Sequence, residues 1–142
     1  MLGDYQVVTV DKKTRIVKIT PPEFPTMVTG IEKLFQIVVL SLLNDPGRSG
    51  LYPDDGSGLR EMIGQYNVSS RDISDIFNVV SDRIGKIKKE ILSYQNEFIS
   101  TPLTERLADL KVLNVDHGDS FDQVRIKFRL VSQAGQNVSF TI

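Results

Sequence analysis

The sequence contains no cysteine and no tryptophan, and its single histidine is His117. That inventory removes disulfide bridges, thiolate metal centres, a cysteine nucleophile and any zinc site built from several histidines. Charge of one sign is missing as well: 17 Lys+Arg stand against 18 Asp+Glu in 142 residues, a formal net charge of -1. Whole-molecule steering toward nucleic acid or an anionic membrane therefore has no basis. Long hydrophobic runs are also wanting. Ile37 to Leu40 followed by Leu42 and Leu43 is the longest, far short of the ~20 residues that span a bilayer. Met1-Leu-Gly-Asp-Tyr-Gln-Val-Val has no basic stretch ahead of an apolar one, so no signal peptide is expected. The expectation is a soluble, intracellular protein without a cofactor.

What is present fits one domain of common size, able to bury roughly two thirds of its unfolded surface. No repeat or low-complexity tract occurs, and the chain divides into a β start, a helical middle and a β end. Residues 5–10 and 15–19 are rich in β-formers and enclose Asp11-Lys12-Lys13-Thr14, which predicts a hairpin. Pro21, Pro22 and Pro25 then impose an extended connector, because each removes a backbone donor.

A helix is expected from Thr29 or Gly30, with Ile31, Leu34, Phe35, Val38, Val39, Leu42 and Leu43 at spacings of three and four. Asn44-Asp45-Pro46-Gly47 ends it. Asp45 to Gly58 reads as a loop, and Leu59 to Tyr66 as a short helix. A long helix over 70–98 is then predicted, opened by Ser69-Ser70 with Asp72 in its first turn, where the exposed N–H groups favour them. Its apolar line is Ile73, Phe77, Val80, Ile84, Ile87, Ile91, Tyr94 and Phe98, widened by Ile76, Val79 and Leu92. The widening favours packing on the protein's own sheet over a seam for a foreign helix. Gly85, off that line, points to a close backbone approach.

The β end comprises Leu110 to Val115, a turn at Asp116-His117-Gly118-Asp119, and Gln123 to Leu130, which alternates polar and apolar residues throughout. One buried face and one wet face carrying Arg125, Lys127 and Arg129 follow from that alternation. Ala134-Gly135-Gln136-Asn137 turns into a last strand, Val138 to Ile142, which stops without a polar tail and wants a partner on its free edge. The fold class is thus α+β: an N-terminal β-hairpin, a core helix, one long helix and a C-terminal antiparallel sheet in a single domain.

Catalytic candidates are few. Asp54, Asp55 and Glu61 could form a carboxylate pair of the glycosidase type. Asp54-Asp55 lies in Pro-Asp-Asp-Gly, however, which is turn chemistry, and Glu61 occupies the first turn of a short helix, where an acid is favoured on electrostatic grounds. His117 has no accompanying nucleophile pattern. The loop GRSGLYPDDGSG lacks the phosphate-binding Gly-Lys-Ser/Thr ending and the spaced acids of a calcium loop. The Arg125, Lys127, Arg129 stripe lacks interleaved aromatics and reads as solvated or partner-facing. No catalytic, cofactor or metal residues are assigned.

The stretch from Val38 to Arg60, with Pro46-Gly47-Arg48, Pro53, Gly56 or Gly58, and Leu59 after a helix, resembles the small baseplate wedge subunits of contractile phage tails. That family includes a type VI secretion baseplate subunit and is often labelled lysozyme-like. The likeness extends over residues 28–142, leaving 1–27 as a hairpin and Pro-rich connector. It implies a structural, non-enzymatic role in the virion baseplate, assembled in the host cytoplasm, with several copies in a six-fold ring. It implies partners too, namely other wedge proteins and the tail sheath protein. Where the family has Glu-Pro-Arg for gripping the helical wedge core, this chain has Leu103-Thr104-Glu105-Arg106-Leu107. The resemblance therefore assigns that contact to Glu105 and Arg106, without the proline. It further implies that Val138, Ser139, Phe140, Thr141 and Ile142 accept sheath strands and template the first sheath ring. A peptidoglycan-degrading tail lysozyme using Glu61 with Asp54 or Asp55 is the alternative.

Overall fold

Asp11 organises the start of the chain. In the computed structural model, which describes residues 4–19, 26–43, 73–97, 100–117 and 124–142, its Oδ1 accepts the N–H groups of Lys13 at 2.8 Å and Thr14 at 2.9 Å. Those bonds, Thr14's foremost, hold the exposed Asp11 carboxyl below the usual aspartate range. The turn joins β2 (Val8–Val10) to β3 (Val17–Ile19) in an antiparallel hairpin. The expected strand over 5–10 is broken in two, because β1 (Asp4–Tyr5) pairs with β4 (Met27–Val28) instead. Gln6 N–H donates to the Thr26 carbonyl at 2.7 Å, which continues that ladder. Pro21, Pro22 and Pro25 lie outside the described residues.

Helix α1 spans Gly30–Leu43. Gly30 has a φ of 64°, a left-handed conformation that glycine alone adopts without strain. The expected apolar face is buried at Leu34, Phe35, Val38, Val39 and Leu42, with Ile31 and Leu43 half-buried. Gln36 is buried too, an exception with a clear cause: its Oε1 accepts Val7 N–H at 2.8 Å and Val8 N–H at 3.3 Å, satisfying the break between β1 and β2.

Helix α2 spans Ile73–Asn96, about 36 Å at 1.5 Å per residue. It packs on the protein's own sheet, chiefly on β5 (Leu107–His117). Its buried line is Ile76, Val80, Ile84, Ile87, Ile91 and Gln95, with Phe77, Val79 and Leu92 half-buried. The expected line therefore fails at its C-terminal end: Tyr94 is 59% exposed and Gln95 is buried in its stead. Helical period does not separate them, since Tyr94 lies five 3.6-residue turns after the buried Ile76; Gln95 is drawn in by its bonds to the Glu105 carbonyl and Leu107 N–H, where β5 begins beneath α2. Gly85 is a second correction. It faces solvent, a Cβ there would meet nothing within 4 Å, and no close approach explains it.

The C-terminal sheet has the order β5, β6 (Val124–Ser132), β7 (Asn137–Thr141), antiparallel throughout. Asp116 and His117 are not in a turn but pair with Arg125 and Val124 at the end of β5. Asn137 likewise opens β7 rather than closing the turn before it. Register shifts between Leu107 and Asp109 and between Val112 and Asn114 each add a residue to β5. Its buried positions thus fall at Leu107, Leu110 and Val115 rather than in strict alternation. In β6 the alternation holds, with Ile126, Phe128, Leu130 and Ser132 buried and Lys127 exposed between them. Phe140 of β7 stacks on Phe128 at 5.3 Å and meets Phe35 of α1 edge-on at 5.0 Å. One buried cluster thereby joins the hairpin residue Val8, α1, α2, β5, β6 and β7.

The loop expected over 45–58, the short helix expected over 59–66, the expected Ser69-Ser70 opening of the long helix, Phe98 and residues 118–123 lie outside the described residues.

Candidate functional site

The segment between α2 and β5 is a tight corner. Leu103–Glu105 forms one 3-10 turn after Pro102, and Glu105 N–H donates to the Pro102 carbonyl at 3.0 Å. The end of α2 clamps this turn through Gln95. Its amide nitrogen donates to the Glu105 carbonyl at 2.8 Å, and its oxygen accepts Leu107 N–H at 2.9 Å. Arg106 is tied on both sides: its Nε donates to the Thr101 carbonyl at 2.9 Å, and its own carbonyl accepts Gln133 N–H at 2.9 Å. The β6–β7 turn is thereby fastened to the corner.

The Glu105 side chain points inward and is 2% exposed. Lys33, one turn into α1, meets its Oε1 at 3.1 Å. Its Oε2 is buried without a hydrogen-bond partner. Thr104 lies against the start of α1, 3.8 Å from where a Gly30 Cβ would stand. Glu105 and Arg106 are thus adjacent in sequence but differently placed, the first inside the corner and the second half-buried at its surface. Leu103 beside them is 58% exposed.

The chain matches no protein-family model, no curated protein and no solved structure. What it can do is therefore read from its own geometry.

The second candidate region is the last strand. Ile142 exchanges both backbone hydrogen bonds with Ile126, at 2.9 and 3.1 Å. By antiparallel alternation, residues 138, 140 and 142 face β6 through their backbone, and the N–H and C=O of Asn137, Ser139 and Thr141 point away from it. β7 is an edge strand of its sheet. Its outer edge is partly occupied. Thr141 N–H donates to the Arg15 carbonyl at 2.8 Å, the guanidinium of Arg15 donates to the Ser139 carbonyl from Nε at 3.2 Å and from Nη2 at 3.1 Å, and Ile16 forms an isolated parallel bridge with Thr141. Side chains follow the other rule: Phe140 is fully buried, and Val138, Ser139, Thr141 and Ile142 are half-buried. Removing Val138–Ile142 would consequently empty part of the core as well as the edge.

Asp54, Asp55 and Glu61 lie outside the described residues. Among the described residues no group of three or more His, Asp or Glu side chains is arranged to hold a metal, and no helix is long and apolar enough to cross a membrane. Arg125, Lys127 and Arg129 stand on the sheet face turned from the core, opposite Asp116, Asn114 and Lys111 of β5 in register. Sequence reasoning missed Lys33, Gln95 and Arg15. The only available signals were a glutamine falling on an apolar helix stripe and a non-glycine residue closing a tight hairpin.

Proposed function

We propose that this chain is a structural component of a contractile phage-tail baseplate wedge, binding the wedge core bundle at the 101–106 corner and offering the outer edge of β7 to strands of the tail sheath protein. The observation that carries the reading is the outward backbone of Asn137 and Ser139 on an edge strand. Main-chain donors and acceptors on such an edge take up an extended segment by ladder completion, whatever its sequence. The Pro-Gly-Arg and Pro-x-x-Gly-x-x-Leu pattern and the Thr-Glu-Arg corner support the family assignment.

In this reading Arg106 meets the bundle, and Glu105, held by Lys33 and Gln95, fixes the corner from within. Copies arranged in a six-fold ring in the virion baseplate, assembled in the host cytoplasm, present their edges at sheath spacing, so polymerisation starts there. No bond is made or broken, and no cofactor is used.

The experiment is a pair of single substitutions in reconstituted baseplates. Arg106→Ala weakens wedge assembly while the isolated chain unfolds at nearly the parental temperature. Ser139→Pro removes an outward N–H that β6 does not use and blocks sheath growth while sparing baseplate incorporation. Sheaths of normal length on the Ser139→Pro baseplate would sink the edge assignment, and murein hydrolysis by the purified chain, lost in Glu61→Gln, would overturn the structural role.

A further inference from the structure

Arg15 is the one non-glycine residue with a positive φ among the described residues, at 58°. It ends the Asp11 turn, donating its N–H to the Asp11 carbonyl at 2.9 Å while Asp11 N–H reaches Ile16 at 3.0 Å. Glycine or asparagine adopts that left-handed conformation at lower cost. What arginine adds is reach. From this position one residue places its carbonyl on Thr141 N–H and its guanidinium fork on the Ser139 carbonyl, 124 positions away in sequence.

These are two of the outward backbone groups that an added strand needs. Arg15 is exposed, whereas the base of its hairpin is anchored in the core by Val8 and flanked by half-buried Val10 and Val17. The tip can therefore leave the edge without unpacking the cluster. Its grip consists of one residue's bonds and an isolated bridge rather than a ladder, so a longer extended segment outcompetes it.

We infer that Arg15 is a latch: it holds the outer edge of β7 closed in the free chain and yields to an incoming extended segment that takes over Ser139 C=O and Thr141 N–H. The biological purpose rests on the reading of β7 as a strand-receiving edge, and the closed edge itself is a property of the chain alone. An unguarded edge pairs with any exposed strand, including that of a second copy, and the latch withholds it until a competitor of sufficient length arrives.

Two measurements on the full chain test this. Arg15→Gly and Arg15→Asn both accept the positive φ and keep the Asp11 turn, but lack the guanidinium. Native-state amide exchange is expected to accelerate about tenfold at Thr141 in both variants: its bond to the main-chain carbonyl of residue 15 remains possible, but the charge-assisted pair on the Ser139 carbonyl that holds the hairpin tip against the edge is lost, while Ile142, bonded within the β6 ladder, stays within about twofold. Unchanged exchange at Thr141, or a parallel rise at Ile142, overturns the latch. The second measurement is uptake of a fluorescein-labelled peptide with the β6 sequence Val124–Ser132, read by anisotropy. Several-fold tighter uptake by the two variants supports the latch, and measurable uptake of equal affinity by parent and variants overturns it. A Thr141 amide that becomes labile in chains that never take up the peptide supports the latch as an edge contact and removes the strand-docking reading instead.

Discussion

Removing Lys33 exposes how the corner is balanced. At the 3.1 Å separation of Lys33 Nζ and Glu105 Oε1, an effective dielectric of 20 gives an attraction of about 5 kcal/mol. Burying the carboxylate costs several kcal/mol in the opposite sense. The cost is not fully offset here, because Oε2 has no partner. The pair as a whole is thus nearly neutral, but cutting it is not: Lys33→Met strands a charge that is 2% exposed. Losses of about 3–5 kcal/mol are usual for such cuts. The Lys33 side chain is 25% exposed, so water already weakens the attraction and the low end, about 3 kcal/mol, applies. In urea, with m about 1.5 kcal/mol/M, the unfolding midpoint falls by about 2 M. Adding Glu105→Leu removes the stranded charge, and the double variant returns to within about 1 kcal/mol of the parent. A single variant losing less than about 1 kcal/mol, or a double variant no better than the single, would refute the balance.

Further outcomes follow from neighbouring contacts. Gly85→Ala raises stability by about 1 kcal/mol, because its Cβ meets nothing within 4 Å and the helix interior favours alanine; calorimetry on the isolated chain checks it. Gln95→Leu leaves the Glu105 carbonyl and Leu107 N–H without the partner they share and costs about 2–3 kcal/mol in denaturant unfolding. Lys88 donates to Asp109 Oδ1 at 2.8 Å and holds that carboxyl below the usual aspartate range. A depressed folded pKa contributes stability above the unfolded value of about 3.9, lost as pH falls through the folded one. Asp109→Asn accordingly destabilises at pH 7 by no more than about 0.5 kcal/mol, the pair being only half-buried, and the difference from the parent closes as the pH falls through the folded pKa in a pH series of thermal melts.

Local patterns determined the elements of this protein. Asp11 with the short polar run after it made a turn, the spacing of Leu34, Val38 and Leu42 made one buried helix face, and the alternation from Val124 to Leu130 made a strand with one face in the core. Each rests on backbone periodicity or side-chain bonds to nearby amides, which act over a few residues. Tertiary structure alone decided the rest. Tyr94 and Gln95 both continue a helical stripe on paper, and only the path of β5 beneath α2 selects the glutamine, because its amide bridges a carbonyl and an N–H of the corner. Nothing near Glu105 in sequence announces that it turns inward to Lys33, and nothing near Arg15 announces Ser139. Such contacts join positions far apart in the chain, so their energies leave no periodic trace in the order of residues.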